Sequence, residues 1–149
     1  MFTTDAGQLR TTVLAAAARY AAMAEAEVAR KPAPDRWSKK EILGHLIDSA
    51  GNNHQRFVRA QLQGELTFPG YEQEGWARCQ RYASADWQHL VTLWRAFNLH
   101  LANVIAAIPG DKESTSCTIG DDPPVTLLFL AEDYLTHMNG HLKQLDGPR

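Results

Sequence analysis

Apolar residues recur at three- and four-residue steps in four long stretches of the chain, and segments rich in Pro, Gly and polar residues separate them. In the first stretch Leu9, Val13, Ala17, Tyr20 and Ala24 form the stripe of a helix that packs on others. The Ala, Leu, Glu and Arg content from about Ala6 to Arg30 favours helix locally, and Lys31, Pro32, Ala33 and Pro34 end it. The second stretch, Arg36 to Leu62, opens with Ser38 followed three residues later by Glu41. That is a capping box, in which hydroxyl and carboxylate each take an orphan amide, so a helix starts at Lys39. Trp37, just before the cap, is placed to staple onto the first turns. Ile42, Leu46, Ser49, Asn53 and Phe57 lie along one side of this helix. Ser84 or Asp86 caps a third helix running to about Ala107, with Trp87, Leu90, Val91, Trp94, Phe97, Leu101, Val104 and Ile108 on its buried side. The fourth runs from about Val125 to Leu145, where Leu127, Leu130, Ala131, Tyr134, Met138, Leu142 and Leu145 give a wide apolar surface before Gly147 and Pro148 stop it.

Two of the joins are long. Gly64 to Ala85 interleaves Phe68, Tyr71, Trp76 and Tyr82 with charges, and it has room for a helical turn around Glu74 to Cys79. Connections of that length in a compact domain usually carry function or cap a core. Asp111 to Pro124 is a second irregular segment in which Ser116 to Ile119 could be briefly extended, but no strand pattern is convincing. The expected architecture is all-α: a single four-helix-bundle domain over residues 1–149 with two long connections.

Composition narrows the partners. Lys+Arg of 15 against Asp+Glu of 17 gives a net charge of -2 with no basic run able to track a phosphate backbone, so nucleic acid is not expected. No apolar run approaches the roughly 20 residues of a membrane span and no signal-peptide order opens the chain, which points to a cytoplasmic protein. Cys79 and Cys117 form no metal-type or redox-type pair and read as reduced thiols. Lys39, Lys40, Arg56 and Arg59 read as a scattered, solvated basic face.

The candidate chemistry lies in Tyr134 to Leu145, YLTHMNGHLKQL, where His137 and His141 leave one helix face a turn apart and can reach one metal ion. A catalytic site needs a third ligand and an open position, and His45 of the second helix is the candidate. Asp48 and Asn52 follow His45 on its own face. Asp48 could orient His45 or act as a general base, and Asp133 could orient His137. Zinc fits such a site, but imidazole also suits nickel, iron and copper. The HxxxH spacing alone favours a structural or incidental pair over a metal site, and the glutamate of HExxH is absent. His54, His89 and His100 have no comparable partner in the sequence.

RWSKKEILGHLIDSAGNNHQRFVR resembles the second-helix signature of the DinB-like superfamily: a Trp-Ser cap, a small residue, a histidine, then an Asp-Ser step before an arginine. YLTHMNGHLKQL resembles the final-helix HxxxH of the same families, and FPGYEQEGWARCQRY the linking segment of a branch of metal-dependent hydrolases and bacillithiol transferase-like proteins. The resemblance implies an up-up-down-down four-helix bundle, a divalent metal (zinc or nickel) held by His45, His137 and His141, and a homodimer. It further implies a thiol transferase or hydrolase-like enzyme acting on a small molecule, with a low-molecular-weight thiol as one candidate partner. The alternative is a non-enzymatic stress-response or dimerisation module with a structural or vestigial site. Some members carry another histidine after the Asp-Ser step, where this chain has Ala50, Gly51 and Asn52, so no specific substrate carries over.

Overall fold

Ser38 and Glu41 form the expected box: the Ser38 side chain accepts from the Glu41 amide while Glu41 takes the Ser38 amide, and the long helix starts at Lys39. The computed structural model describes residues 1–147, so Pro148 lies outside the described residues. In chain order the elements are α1 (Phe2–Ala21), α2 (Glu25–Ala29), α3 (Lys39–Leu62), β1 (Glu65–Phe68), α4 (Gln73–Cys79), α5 (Trp87–Ala106), β2 (Ser116–Ile119), β3 (Val125–Thr126) and α6 (Leu127–Asp146). Asp86 caps α5 by accepting from the His89 amide, and Thr126 caps α6 by accepting from that of Phe129.

The long helices α1, α3, α5 and α6 make the expected bundle. Tyr20 meets Trp87 while Arg10 bonds Asn103, so α1 and α5 are antiparallel. His45 meets His141 while Phe57 meets Tyr134, so α3 and α6 are antiparallel too. The C-terminal ends of α1 and α6 are tied by Arg19 and Asp146. Around the bundle α6 and α1 therefore run up and α5 and α3 down, while along the chain the sense is up, down, down, up.

Three expectations are corrected. The first helix ends at Ala21, not Arg30, and the chain turns back as α2, which buries Val28. The reason is tertiary: Glu27 of α2 pairs with Lys39 at 2.7 Å, and Glu25 pairs with Lys40, which also donates to the Ala85 carbonyl. Lys39 and Lys40 are thus buried at the junction of α2, α3 and the start of α5 instead of solvated. In the long connections the extended Ser116–Ile119 and the helical turn near Glu74 to Cys79 are present as β2 and α4, but the sheet found there is not expected from the sequence. In it β1 pairs in parallel with β2, Glu65 opposite Ser116 through Phe68 opposite Ile119, and β2 pairs antiparallel with β3. This small sheet ties the two connections together beside the ends of α3 and α6, with Leu66 and Cys117 buried beneath it.

Candidate metal centre

Three imidazoles converge between α3 and α6. His45 is buried in the bundle, and His137 and His141 lie half-buried a turn apart on the facing helix. Their ligand nitrogens all fall within 4.8 Å of one another, and Nε2 of His45 lies 3.3 Å from Nε2 of His137. Two nitrogens at about 2.0–2.1 Å from a tetrahedral zinc stand about 3.3 Å apart, so that separation is already suited to sharing an ion. Among the described residues no fourth histidine, cysteine or carboxylate joins the group. Three protein ligands with further positions left over is the pattern of a site open to water or substrate.

Electrostatics keep the ring lone pairs available. Burial, then the neighbouring His141 and His137, push the pKa of His45 down to about 4. Burial and His141 also lower that of His137, against the field of Asp133. Neutral imidazole is the form that binds metal. Gln144 Oε1 sits 3.1 Å from His141 Nδ1; with Gln144 accepting, Nδ1 holds the proton and Nε2 the lone pair. His45 has no such support, since its Nδ1 is buried without a partner. Freeing Nε2 of His45 as a ligand leaves an unmet Nδ1–H, at about 1–3 kcal/mol. A cation against Nε2 is the compensation this arrangement offers, and the donor set fits one.

The carboxylates expected to orient the rings lie elsewhere. Asp48 turns to the first connection: its Oδ1 accepts from Tyr82 Oη at 2.7 Å and from Gln80 Nε2 at 2.8 Å. Burial raises its pKa despite those donors. Asp133 is exposed and acts on His137 through its field, without a hydrogen bond to it among the described residues. Asn52 satisfies itself by donating to the Asp48 carbonyl one turn back.

Trp37 does more than staple the helix. Its ring lies 5.2 Å from that of His45, and its Nε1 donates to Glu74 of α4, so the first connection reaches over the histidines. The Tyr82 ring lies on Gly44, where a Cβ would come within 2.2 Å of its atoms, so the small residue before His45 is required by this contact. Arg81, in the left-handed region at φ 54°, turns the chain into that position.

Two cavities open between these parts. One, of about 270 Å³, lies between α3 and α6 with His137, Tyr134 and Asp133 on one wall and Ser49, Asn53 and Arg56 on the other, closed by Tyr71 of the first connection. The other, of about 480 Å³ and mostly apolar, is lined by Asp48, Phe68, Tyr71, Trp76 and Phe97, so the aromatic connection does border a pocket. Sequence reasoning missed Arg56, though Ser49, Asn53 and Arg56 at steps of four and three already share a helix face. It also left His54 and His100 without partners, whereas their rings meet across α3 and α5 at 5.4 Å beside Phe97.

Comparison with known proteins agrees with this architecture. The profile of the DinB superfamily matches residues 8–145. The structure superposes on YfiT from Bacillus subtilis with a TM-score of 0.77 at 15% identity, covering 95% of this chain and 79% of that one. YfiT is described as a probable metal-dependent hydrolase with an unusual four-helix bundle topology. No functionally curated protein matches the chain in sequence.

Proposed function

The chain belongs to the DinB superfamily, and on that premise we propose that it is a metal-dependent enzyme of the hydrolase or thiol-transferase type, with His45, His137 and His141 holding a divalent ion. The observation that carries the reading is the convergence of three imidazoles from two helices, two of them with Nε2 atoms 3.3 Å apart. The description of YfiT as a probable metal-dependent hydrolase supports the same class. A divalent ion supplies the Lewis acidity that lets a water or a thiol react as a nucleophile at neutral pH. Zinc and nickel both suit the donor set.

The remaining work falls to the chain. Burial of His45 keeps its ring unprotonated, and Gln144 fixes the tautomer of His141. Trp37, held by Glu74, shields one side of His45 from water. The cavity walled by His137 receives a small molecule, and its volume of about 270 Å³ suits a compact one. Asp48 is a positioning residue in this reading: through Tyr82 and Gln80 it holds the first connection against α3.

The test is turnover by zinc- and nickel-loaded protein of an activated aryl ester, and of chlorodinitrobenzene with 2-mercaptoethanol. In the second reaction the thiolate displaces chloride. Either activity should fall about a hundredfold or more in His45→Ala, since even a residue behind a ligand can cost that much. Absence of both activities in protein shown to hold metal would contradict the enzymatic reading.

A further inference from the structure

Arg56 is a cation that the bundle has partly buried without giving it a counter-charge. It reaches the wall of the cavity that also contains His137, and its Nε is buried with no hydrogen-bond partner. Among the described residues it forms no ion pair, and its one close contact of that kind is the Phe68 ring, 5.7 Å from its Cζ. Burial accordingly lowers its pKa, opposed only by the field of Tyr71. A guanidinium half withdrawn from water and left unpaired is costly, and its rigid fork suits a carboxylate better than any other common group.

The surroundings agree with a ligand role. Ser49 and Asn53 line the same wall two turns and one turn before Arg56, and Tyr71, its hydroxyl pushed up to about 12 by burial, stands across from them. The Asn53 amide donates to the Ser49 carbonyl and to Ser49 Oγ, so the donors left to meet an anion are the Arg56 fork and the Ser49 and Tyr71 hydroxyls. Asp122 and Asp133 also border the cavity, but both are exposed and neither comes within ion-pair distance of Arg56. They disfavour a molecule of high negative charge, which leaves room for one carboxylate and little more.

We propose that the cavity between α3 and α6 binds a small substrate through one carboxylate, held by Arg56, with the reacting end of the molecule at His137 and its partner histidines. The inference rests on the metal-site reading given above and specifies its substrate class.

The experiment compares two hydroxamates on zinc-loaded protein by calorimetry: succinate monohydroxamate, which carries a terminal carboxylate, and butyrohydroxamate, which does not. The charged probe should bind the unmodified protein about tenfold more tightly. Arg56→Gln should abolish that preference while leaving butyrohydroxamate unchanged, and Arg56→Lys should keep part of it. Equal binding of the two probes, or a preference that survives Arg56→Gln, overturns the proposal. A second arm needs no metal: succinate added to metal-free protein should move the Arg56 Nε–H signal in a nitrogen–proton spectrum, and an unmoved signal overturns the proposal as well. Elemental analysis of the same samples separates the two readings. Protein that takes up no zinc defeats the histidine site, whereas protein that holds zinc yet shows no carboxylate preference defeats only the anchor.

Discussion

Between α1 and α5 the buried residues are Leu9, Val13, Ala17 and Tyr20 on one side and Trp87, Trp94, Leu101 and Ile105 on the other. The polar contacts of that seam are few, such as the Trp87 Nε1 hydrogen bond to the Tyr20 carbonyl at 2.7 Å. On α3, facing α6 and the first connection, the buried residues include His45, Asp48, Ser49, Asn52 and Asn53. Both regions obey the same helical period. The first gains mainly from apolar surface removed from water, with Tyr20 Oη and Trp94 Nε1 as buried polar atoms at the edges of its aromatic rings, while the second spends desolvation on whole polar side chains that pure packing does not need. One half of the bundle supplies the stability on which the other half can hold imidazoles, an unpaired guanidinium and a carboxylate out of water.

That contrast can be broken by mutation. Trp94 is fully buried against Tyr20, and Trp94→Ala should destabilise the protein by about 3–5 kcal/mol in urea unfolding while leaving metal uptake intact in the folded fraction. His45→Ala should cost much less: each substitution removes a buried polar atom without a partner, Nδ1 of His45 or Nε1 of Trp94, but His45→Ala withdraws far less apolar surface from the core. Equal costs would erase the distinction between the two seams.

A smaller effect sharpens the link between the histidine helix and the first connection. Gly44→Ala places a methyl group 2.2 Å from Tyr82 ring atoms, so the ring must move and its hydroxyl leaves Asp48. The expected cost is about 1–3 kcal/mol, measured by the same unfolding. A cost near zero would show that the connection rests loosely on α3 and does not position anything there.

The smallest effect is a pH dependence. Burial raises the folded-state pKa of Asp48 above its unfolded value. The folded protein therefore favours the protonated carboxyl, a contribution fully present below the unfolded value of about 3.9 and lost as pH rises through the folded value. Asp48→Asn cannot titrate. Melting curves should thus show the unmodified protein gaining on the variant as pH falls from neutral into the acid range, and a difference that is flat with pH would place Asp48 in contact with solvent.

The helices were legible because they rest on local signals, namely the capping box at Ser38, the Asp86 cap and apolar periodicity. Two histidines four apart gave only a pair, and His45, a candidate third ligand, was joined to them by the resemblance to the DinB-like superfamily. What escaped depends on partners remote in sequence. Nothing local stops α1 at Ala21, since the turn into α2 is held by Glu25 and Glu27 reaching Lys40 and Lys39. The small sheet pairs segments of four and two residues across long separations, too short to show a period. Asp48 and Arg56 sit on a helix whose polar strip was visible, but which groups they face is decided by the two connections, whose course the sequence pattern does not specify.

The central claim is that His45, His137 and His141 hold one ion across α3 and α6. It is tested most directly by elemental analysis of the purified protein and of its His45→Ala and His137→Ala variants, after incubation with zinc or nickel and removal of free ion. The account predicts about one ion per chain in the unmodified protein and its loss in both variants, with helical circular dichroism retained. Protein that binds no ion, or binds it regardless of His45, would contradict the claim.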